Sequence, residues 1–372
     1  MNWREKTLVS LFGEVRILSS YYHCASCHTG QQPWQTTLRV GLHRVTLAAE
    51  EAIALSGLLT SFGRASRQTL LKLTGIRVSE STVERVTEDA GEELAVCLEQ
   101  KETFGPSKPW NWQHDARGQS CGYTSLDFVS VPQQGPLGAK AESRMAAVGL
   151  VYNPQSKHDD RLPRGNDEVR YLAGFYELPA LGRELRRQAA QVGWDDLEQP
   201  LAISDAGSGL EDFQRQNFAR AERMLDFFHA SEHVGRMAQA MHPHDPEQAK
   251  QQTGAWCHTL KHAGGVSLRS EWEQLDISGW SSDRLETYRV ELGYFHNHEH
   301  KMDYPRYVAN GWQIGSGPVE SACKRVVTQR LKGAGMRWSE QGSGAVCHLH
   351  ALLLSQNGCW DGFWDRKNHL QN

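Results

Sequence analysis

The segment 201–235 restricts the fold more than any other part of the chain. "LAIS" (201–204) is a short apolar run with the length of a buried strand, "DAGSG" breaks it, and about Leu210 to Phe218 has the pattern of a helix. "RMLDFF" (223–228) is a second apolar run, and it leads into a helix from about Ala230. Parallel neighbours need a crossover, usually a helix, and this succession supplies one. The expected unit is strand–helix–strand in a partly parallel sheet, which makes the fold class α/β. Ahead of it, "GYTSLDFVSV" (122–131) and "RMAAVGLVY" (144–152) read as two strands joined by the turn-rich "PQQGPLGAKAES".

The rest of the chain divides around this core. Residues 1–45 read as short strands around "YYHCASCHTG", which holds the pair Cys24-x-x-Cys27. Residues 46–105 are helical in pattern. Within them "LLKLTGIRVSESTVERVTEDAG" gives a helix with Leu70, Leu71 and Leu73, a turn at Gly75, and a second helix capped by Ser79 or Ser81. Val83 and Val86 follow at helical spacing, so the stretch has a helix-turn-helix pattern, which helical hairpins without a DNA partner share. "KETFGPSKPWNWQHDARGQS" (101–120) is rich in turn formers and reads as a linker into the next domain. The first part of the core then covers 106–235. Residues 236–308 are polar, helical and rich in His and Trp, an all-α insertion. Residues 309–372 return to the core with a helix from near Pro318 to Gly333 and another from about Ser339 to Leu354.

At 372 residues the chain has room for two or three domains with a real core. Hydrophobic content of 39% and charged content of 23% fit a soluble globular protein, and no apolar run is long enough to span a bilayer. Arg4, Glu5 and Lys6, followed by an apolar stretch broken at Gly13 and Glu14, do not make a secretory signal. The eight cysteines are scattered apart from one close pair, which points to a reducing cytoplasmic compartment. With 40 basic and 44 acidic residues, bulk charge does not drive nucleic-acid binding. A local basic strip nevertheless exists: 324–337 holds Lys324, Arg325, Arg330, Lys332 and Arg337 and no acid. Solvated helix charge explains such a strip equally well.

Three carboxylates stand out by position. Asp127 sits in the middle of a β-run beside Leu126, Phe128 and Val129, where an ionised side chain is depleted and costly to bury without a partner. Asp205 follows "LAIS" directly, at the carboxyl end of a buried strand, where ligands bind in open α/β sheets. A helix N-cap is its ordinary role. Glu320, just after Pro318, is an early-helix acid of the kind the helix dipole favours. Together they are three acids from different elements of one core, as two hard cations ~4 Å apart require for phosphodiester chemistry. Val319, Ala322, Cys323, Val326, Val327 and Leu331 form an apolar stripe that would dock this helix on the sheet, with Glu320 at its margin.

At these residues the chain resembles a family. The blocks "SLDFVSVPQQGP…AESRMAAVGLVYNP", "ISDAGSGLEDF", "LDFFHASEH" and "MDYPRYVANGWQIGSGPVESACKRVVTQRLKGAGMRW" resemble Kra-type insertion-sequence transposases. These are Mutator-like DDE transposases with an RNase H-like catalytic core. The similarity runs from "LFGEVRILSSYYHCASC" to "WDGFW", and its last block is the most specific. The resemblance implies that Asp127, Asp205 and Glu320 are the three catalytic, metal-binding carboxylates, and that 236–308 is the insertion between the second Asp and the Glu. It also matches Asp226 and His229 to the family's Asp/Cys-x-x-His signature, which puts His229 near the scissile phosphate with His233 on the same face.

Other readings of the same residues differ in chemistry. "HASEH" (229–233) is a His-x-x-Glu-His string, the inverted zincin motif of some metallopeptidases, with Glu232 as general base. "HCASCH" (23–28) offers Cys24 and Cys27 for zinc, but one Cys pair needs His23, His28 or another cysteine to complete a site. "HNHEH" (296–300) reads as solvated or core-satisfied histidines. Trp256, Trp272 and Trp280 suit base stacking and core packing equally. A domesticated DNA-binding protein without catalysis is the third class.

The expectation with most support is a DNA transposase that cleaves strands at transposon ends and transfers them to target DNA. Two Mg²⁺ ions, with Mn²⁺ able to substitute, would sit on Asp127, Asp205 and Glu320. Lys324, Arg325, Arg330 and Lys332 would hold backbone phosphates. Ser81, Thr82 and Arg85, with Glu84, would face the groove of terminal inverted repeats. Two ends must be joined, so a homo-oligomer on double-stranded DNA is expected, with no membrane partner.

Overall fold

The computed structural model describes residues 2–31, 40, 43–139, 141–154, 168–207 and 209–370. Part of the expected N-terminal segment 1–45 (residues 1, 32–39, 41 and 42) lies outside them. The first two strands of that segment are long, not short. β1 (Asn2–Ser10) and β2 (Gly13–His23) form one antiparallel hairpin whose register closes at Ser10 and Gly13. Gly13, directly after the loop residues Leu11 and Phe12, has φ +95°, a left-handed conformation that glycine adopts without strain. Phe12 at the tip is 99% exposed. The two-residue β3 (Gly30–Gln31) returns onto Tyr22 and His23, so Cys24 and Cys27 lie in the turn between β2 and β3.

Three helical pieces follow: α1 (Leu47–Leu59), the composite α2 (Phe62–Arg64, the wider-wound Ala65–Leu70 and Leu71–Leu73), and α3 (Glu80–Glu99). The α2–α3 turn passes through Gly75 at φ +75°, and Ser79, not Ser81, caps α3 by accepting from the Thr82 N–H at 3.1 Å. Leu70, Ile76, Val83 and Val86 join Ala49 and Ile53 in a small separate core. Leu73, expected among the apolar contacts, is exposed.

The central sheet has six strands. They are β4 (Gln113–His114), β5 (Ser120–Val131), β6 (Arg144–Tyr152), β7 (Val169–Gly174), β8 (Gln199–Ser204) and β9 (Glu222–Leu225), in the order β7-β6-β5-β8-β9 with β4 beside β5. β5, β6 and β7 are antiparallel neighbours, while β8 and β9 run parallel to β5. The expected parallel unit is present, with α5 (Leu210–Asn217) crossing between β8 and β9 after α4 (Leu178–Gln191). The fold is mixed α/β.

β7 and α4 fall in a stretch where no element is expected from the pattern. Arg170 interrupts the apolar run of β7. It is 1% exposed and is satisfied by the carbonyl oxygens of Phe104 and Pro106 and by the Gln356 side chain. The expected linker 101–120 is likewise packed, with Phe104, Trp110 and Trp112 buried in the main core.

After β9 the chain is helical: α6 (Phe227–Met241), α7 (Pro246–Glu273), α8 (Ser282–His298) and the short α9 (Tyr304–Ala309). Trp256 and Trp272 are buried with ring centroids 5.5 Å apart, and Trp272 lies on Phe295, so both tryptophans are core residues of this block. The chain returns through α10, which begins as Gly317–Ala322, widens to π-helical geometry over Cys323–Thr328 and ends as Gln329–Leu331. α11 (Glu340–Leu354) and α12 (Cys359–Leu370) complete the fold. No described helix is long and apolar enough to cross a membrane.

Candidate active site

β5 and β8 place the first two acids. Their parallel register pairs Ser125 with Ile203, so Asp127 and Asp205 each lie two residues beyond that pair, Asp127 inside β5 and Asp205 just past the end of β8. α10 brings the third, because its apolar stripe (Val319, Ala322, Val326, Val327, Leu331) is buried in the core. Asp127, Asp205 and Glu320, with Asp226, His229 and Glu232, line one cavity of about 230 Å³.

Each acid has a defined partner. Asp127 Oδ1 accepts from the Phe128 N–H at 2.6 Å, and its Oδ2 accepts from the Cys323 thiol at 3.6 Å. Burial pushes the Asp127 carboxyl above the usual range. The Phe128 N–H opposes that shift, while the nearby negative charges of Asp205 and Glu320 add to it. Asp205 Oδ1 accepts from the Gly207 N–H at 3.0 Å, an Asx-type turn at the strand end. Glu320 Oε1 accepts from the Ser316 hydroxyl at 3.0 Å.

Asp226 is 4% exposed and joins three elements. Its N–H donates to the Ser204 carbonyl at 2.9 Å. Its carboxylate accepts from the N–H groups of Phe228, His229 and Ser316. Asp226 thus caps α6 and fastens the "GSG" lead-in of α10 to the end of β8. Gly315 rests on the Phe228 ring, and a Cβ there would stand 2.6 Å from a ring carbon. The pattern of glycines marked the lead-in, but not the reason for its closeness.

His229, one turn into α6, has its Nδ1 3.8 Å from Glu232. His233 is buried, stacked on Tyr294 at 3.4 Å between ring centroids, with its Nδ1 2.5 Å from Glu291 Oε2. Arg236 holds the other Glu291 oxygen at 2.7 Å. The second imidazole of the His-x-x-Glu-His string therefore locks α6 to α8. Among the described residues, no three His, Cys or acidic side chains form a closed ligand set as they stand, either here or around Cys24 and Cys27. Those two thiols are exposed and pair with Ser26 and Thr29, and the Ser26 hydroxyl and neighbouring backbone lower Cys24 to about 6.

The expected DNA-contact residues divide. Lys324, Arg325 and Lys332 are exposed, with the Lys332 ammonium 3.5 Å from the Ser130 hydroxyl. Ser81 and Arg85 are exposed on the first turns of α3, while Thr82 is half-buried against the Ser79 cap. Arg330 corrects the expectation. It is 3% exposed, stacked 4.6 Å from the Phe62 ring and 4.8 Å from the Trp338 ring, and donates to the Gly57 carbonyl. It ties the helix-turn-helix region to the core and is not available to a phosphate.

Cys323 and Ser316 also touch the acids, and neither is expected there from the sequence pattern. Ser316 stands four residues before Glu320, a spacing that puts two side chains on one helical face, and that was the available signal. Comparison with protein-family models gives no match to this chain, and no curated protein matches it either.

Proposed function

We propose that this chain is a DDE-type DNA transposase that cuts strands at the ends of a mobile element and joins them to target DNA. The observation that carries this reading is the single cavity in which Asp127, Asp205 and Glu320 meet from two parallel strands and a helix. That placement, on a sheet with three antiparallel strands followed by two parallel to the first, supports an RNase H-like core. The sequence resemblance to Kra-type transposases supports the same reading.

The donor set fits Mg²⁺ or Mn²⁺. The acids offer hard carboxylate oxygens, and a cation would offset both the burial and the neighbouring negative charges that raise Asp127. Bound there, two such ions supply Lewis-acid charge neutralisation for in-line phosphoryl transfer. The chain's own residues do the rest. Asp127, Asp205 and Glu320 hold the ions. His229, on the cavity wall, hydrogen-bonds the scissile phosphate or the leaving oxygen. Exposed Lys324, Arg325 and Lys332 take backbone phosphates, and Ser81, Thr82 and Arg85 face the groove of the terminal repeats. A homo-oligomer pairs the two ends.

Incubating the protein and Mg²⁺ with DNA carrying the flanking repeats tests this. Metal-dependent nicking is expected, reduced at least about 10³-fold in Asp205→Asn and Glu320→Gln. Cleavage undiminished in those variants would sink the assignment. Stoichiometric zinc lost on His229→Ala would support the peptidase reading in its place. Sequence-specific binding without cleavage would support a domesticated binder.

A further inference from the structure

Ser316 occupies the N-cap position of α10, where a serine ordinarily accepts a hydrogen bond from an N–H of the first turn. Here it makes no such bond. Its hydroxyl instead donates to Glu320 Oε1 at 3.0 Å. The backbone of Ser316 is fixed independently, since its N–H donates to Asp226 Oδ1 at 2.9 Å. Beside that bond the Phe227 N–H, one residue after Asp226, donates to the carbonyl of Ile314, two residues before Ser316, at 2.8 Å. Asp226 is in turn bonded to the Ser204 carbonyl, immediately before Asp205. A continuous line of hydrogen bonds therefore runs from the strand end bearing the second acid to the carboxylate of the third.

We infer that Ser316 is the positioning residue of Glu320, and that Asp226 is its anchor and not a ligand. This rests on the nuclease reading of the cavity. Glu320 is an exposed residue on the cavity wall, and without a donor at Oε1 its side chain would sample several rotamers. With Ser316 donating, one oxygen is committed and the other is held at a fixed angle toward the cavity. Asp226 has three N–H donors on its two oxygens and is nearly fully buried, so its lone pairs already serve the backbone.

Binding of Mn²⁺ alone, followed by the spin-resonance signal of the free ion, tests the role without relying on cleavage. Ser316→Ala is expected to weaken Mn²⁺ binding about 10-fold, the usual effect of losing a partner that orients a metal ligand. In a Glu320→Gln background the same substitution should have no further effect. Wild-type affinity in Ser316→Ala overturns the role of Ser316. An equal weakening in the Glu320→Gln background also overturns it, since it would mark general damage to the lead-in. Wild-type protein that binds no Mn²⁺ overturns the nuclease reading and this role with it.

Discussion

Arg330, in the last turn of the helix that carries Glu320, donates from Nε to the carbonyl of Gly57 in α1 at 2.8 Å. Its two other nitrogens meet no hydrogen-bond acceptor among the described residues, and the faces of Phe62 and Trp338 stand in for one. Burial lowers its affinity for a proton, to about 10, with Glu88 acting the other way. A cation so placed suits a flat, weakly hydrated guanidinium and no other charged group. Arg330→Lys should therefore destabilise the protein by about 2–4 kcal/mol, more than Arg330→Met, which keeps the stem and removes the buried charge. Urea unfolding of the two variants at one pH decides this, and the opposite order would show that the charge itself is needed.

Glu88, half-buried on α3 near that guanidinium, gives a pH dependence with a definite sign. Burial, and then the negative charges of Glu84, Glu92 and Asp89, push its carboxyl up from 4.5 to about 7. A raised carboxyl stabilises the fold while it is neutral, so its contribution is complete below pH 4.5 and is lost as pH rises through about 7. The melting temperature of Glu88→Gln should gain on wild type across that window and run parallel to it above. A constant difference across the window would mean that Glu88 titrates as an ordinary surface acid.

Asp127 was legible because it violates a local rule and Asp205 because it ends a buried strand, whereas Glu320 obeys the helix-dipole rule and stands out only beside the other two. An aspartate inside a strand and another at a strand end draw attention without knowledge of any contact. The parallel unit was legible because short apolar runs alternate with a helical pattern. What stayed hidden depends on contacts between distant elements. β7 was obscured by Arg170, whose charge is satisfied by carbonyls about 65 residues away in the chain. Cys323 read as one more apolar residue of a stripe, and its bond to Asp127 crosses 196 positions. Arg330 looks in the sequence like part of the basic strip, although it stands four residues after buried Val326 and so shares its face.

Cys323 tunes the first acid. Its thiol donates to Asp127 Oδ2, and burial beside that carboxylate keeps the thiol well above its usual range, hence protonated. Donation to the charged form lowers the Asp127 carboxyl, so Cys323→Ala should raise it further. If the cavity is the proposed nuclease site, the acidic limb of the pH–rate profile for nicking is then expected to move to higher pH, and Cys323→Ser to move it back. Unchanged limbs in both variants would show that this contact does not reach the reacting state.

The exposed cations near α10 carry the prediction for DNA. If Lys324, Arg325 and Lys332 each neutralise one phosphate, each releases a counterion, and log K falls with log salt by about 0.9 for each contact. Replacing all three by Ala should make that slope shallower by about 2–3 and weaken binding to any duplex alike. If Arg85 on α3 faces the groove as proposed, Arg85→Ala should instead reduce the preference for terminal-repeat DNA over unrelated DNA, because a groove contact reads sequence and a phosphate contact does not. Arg330 should behave like neither. Its substitution is expected to alter binding only as far as it loosens the junction between α1 and α10, so salt titrations at a temperature where the variant is fully folded should return the wild-type slope. A slope reduced by one unit in Arg330→Met would place that guanidinium on DNA after all, and would require the sandwich between Phe62 and Trp338 to open on binding.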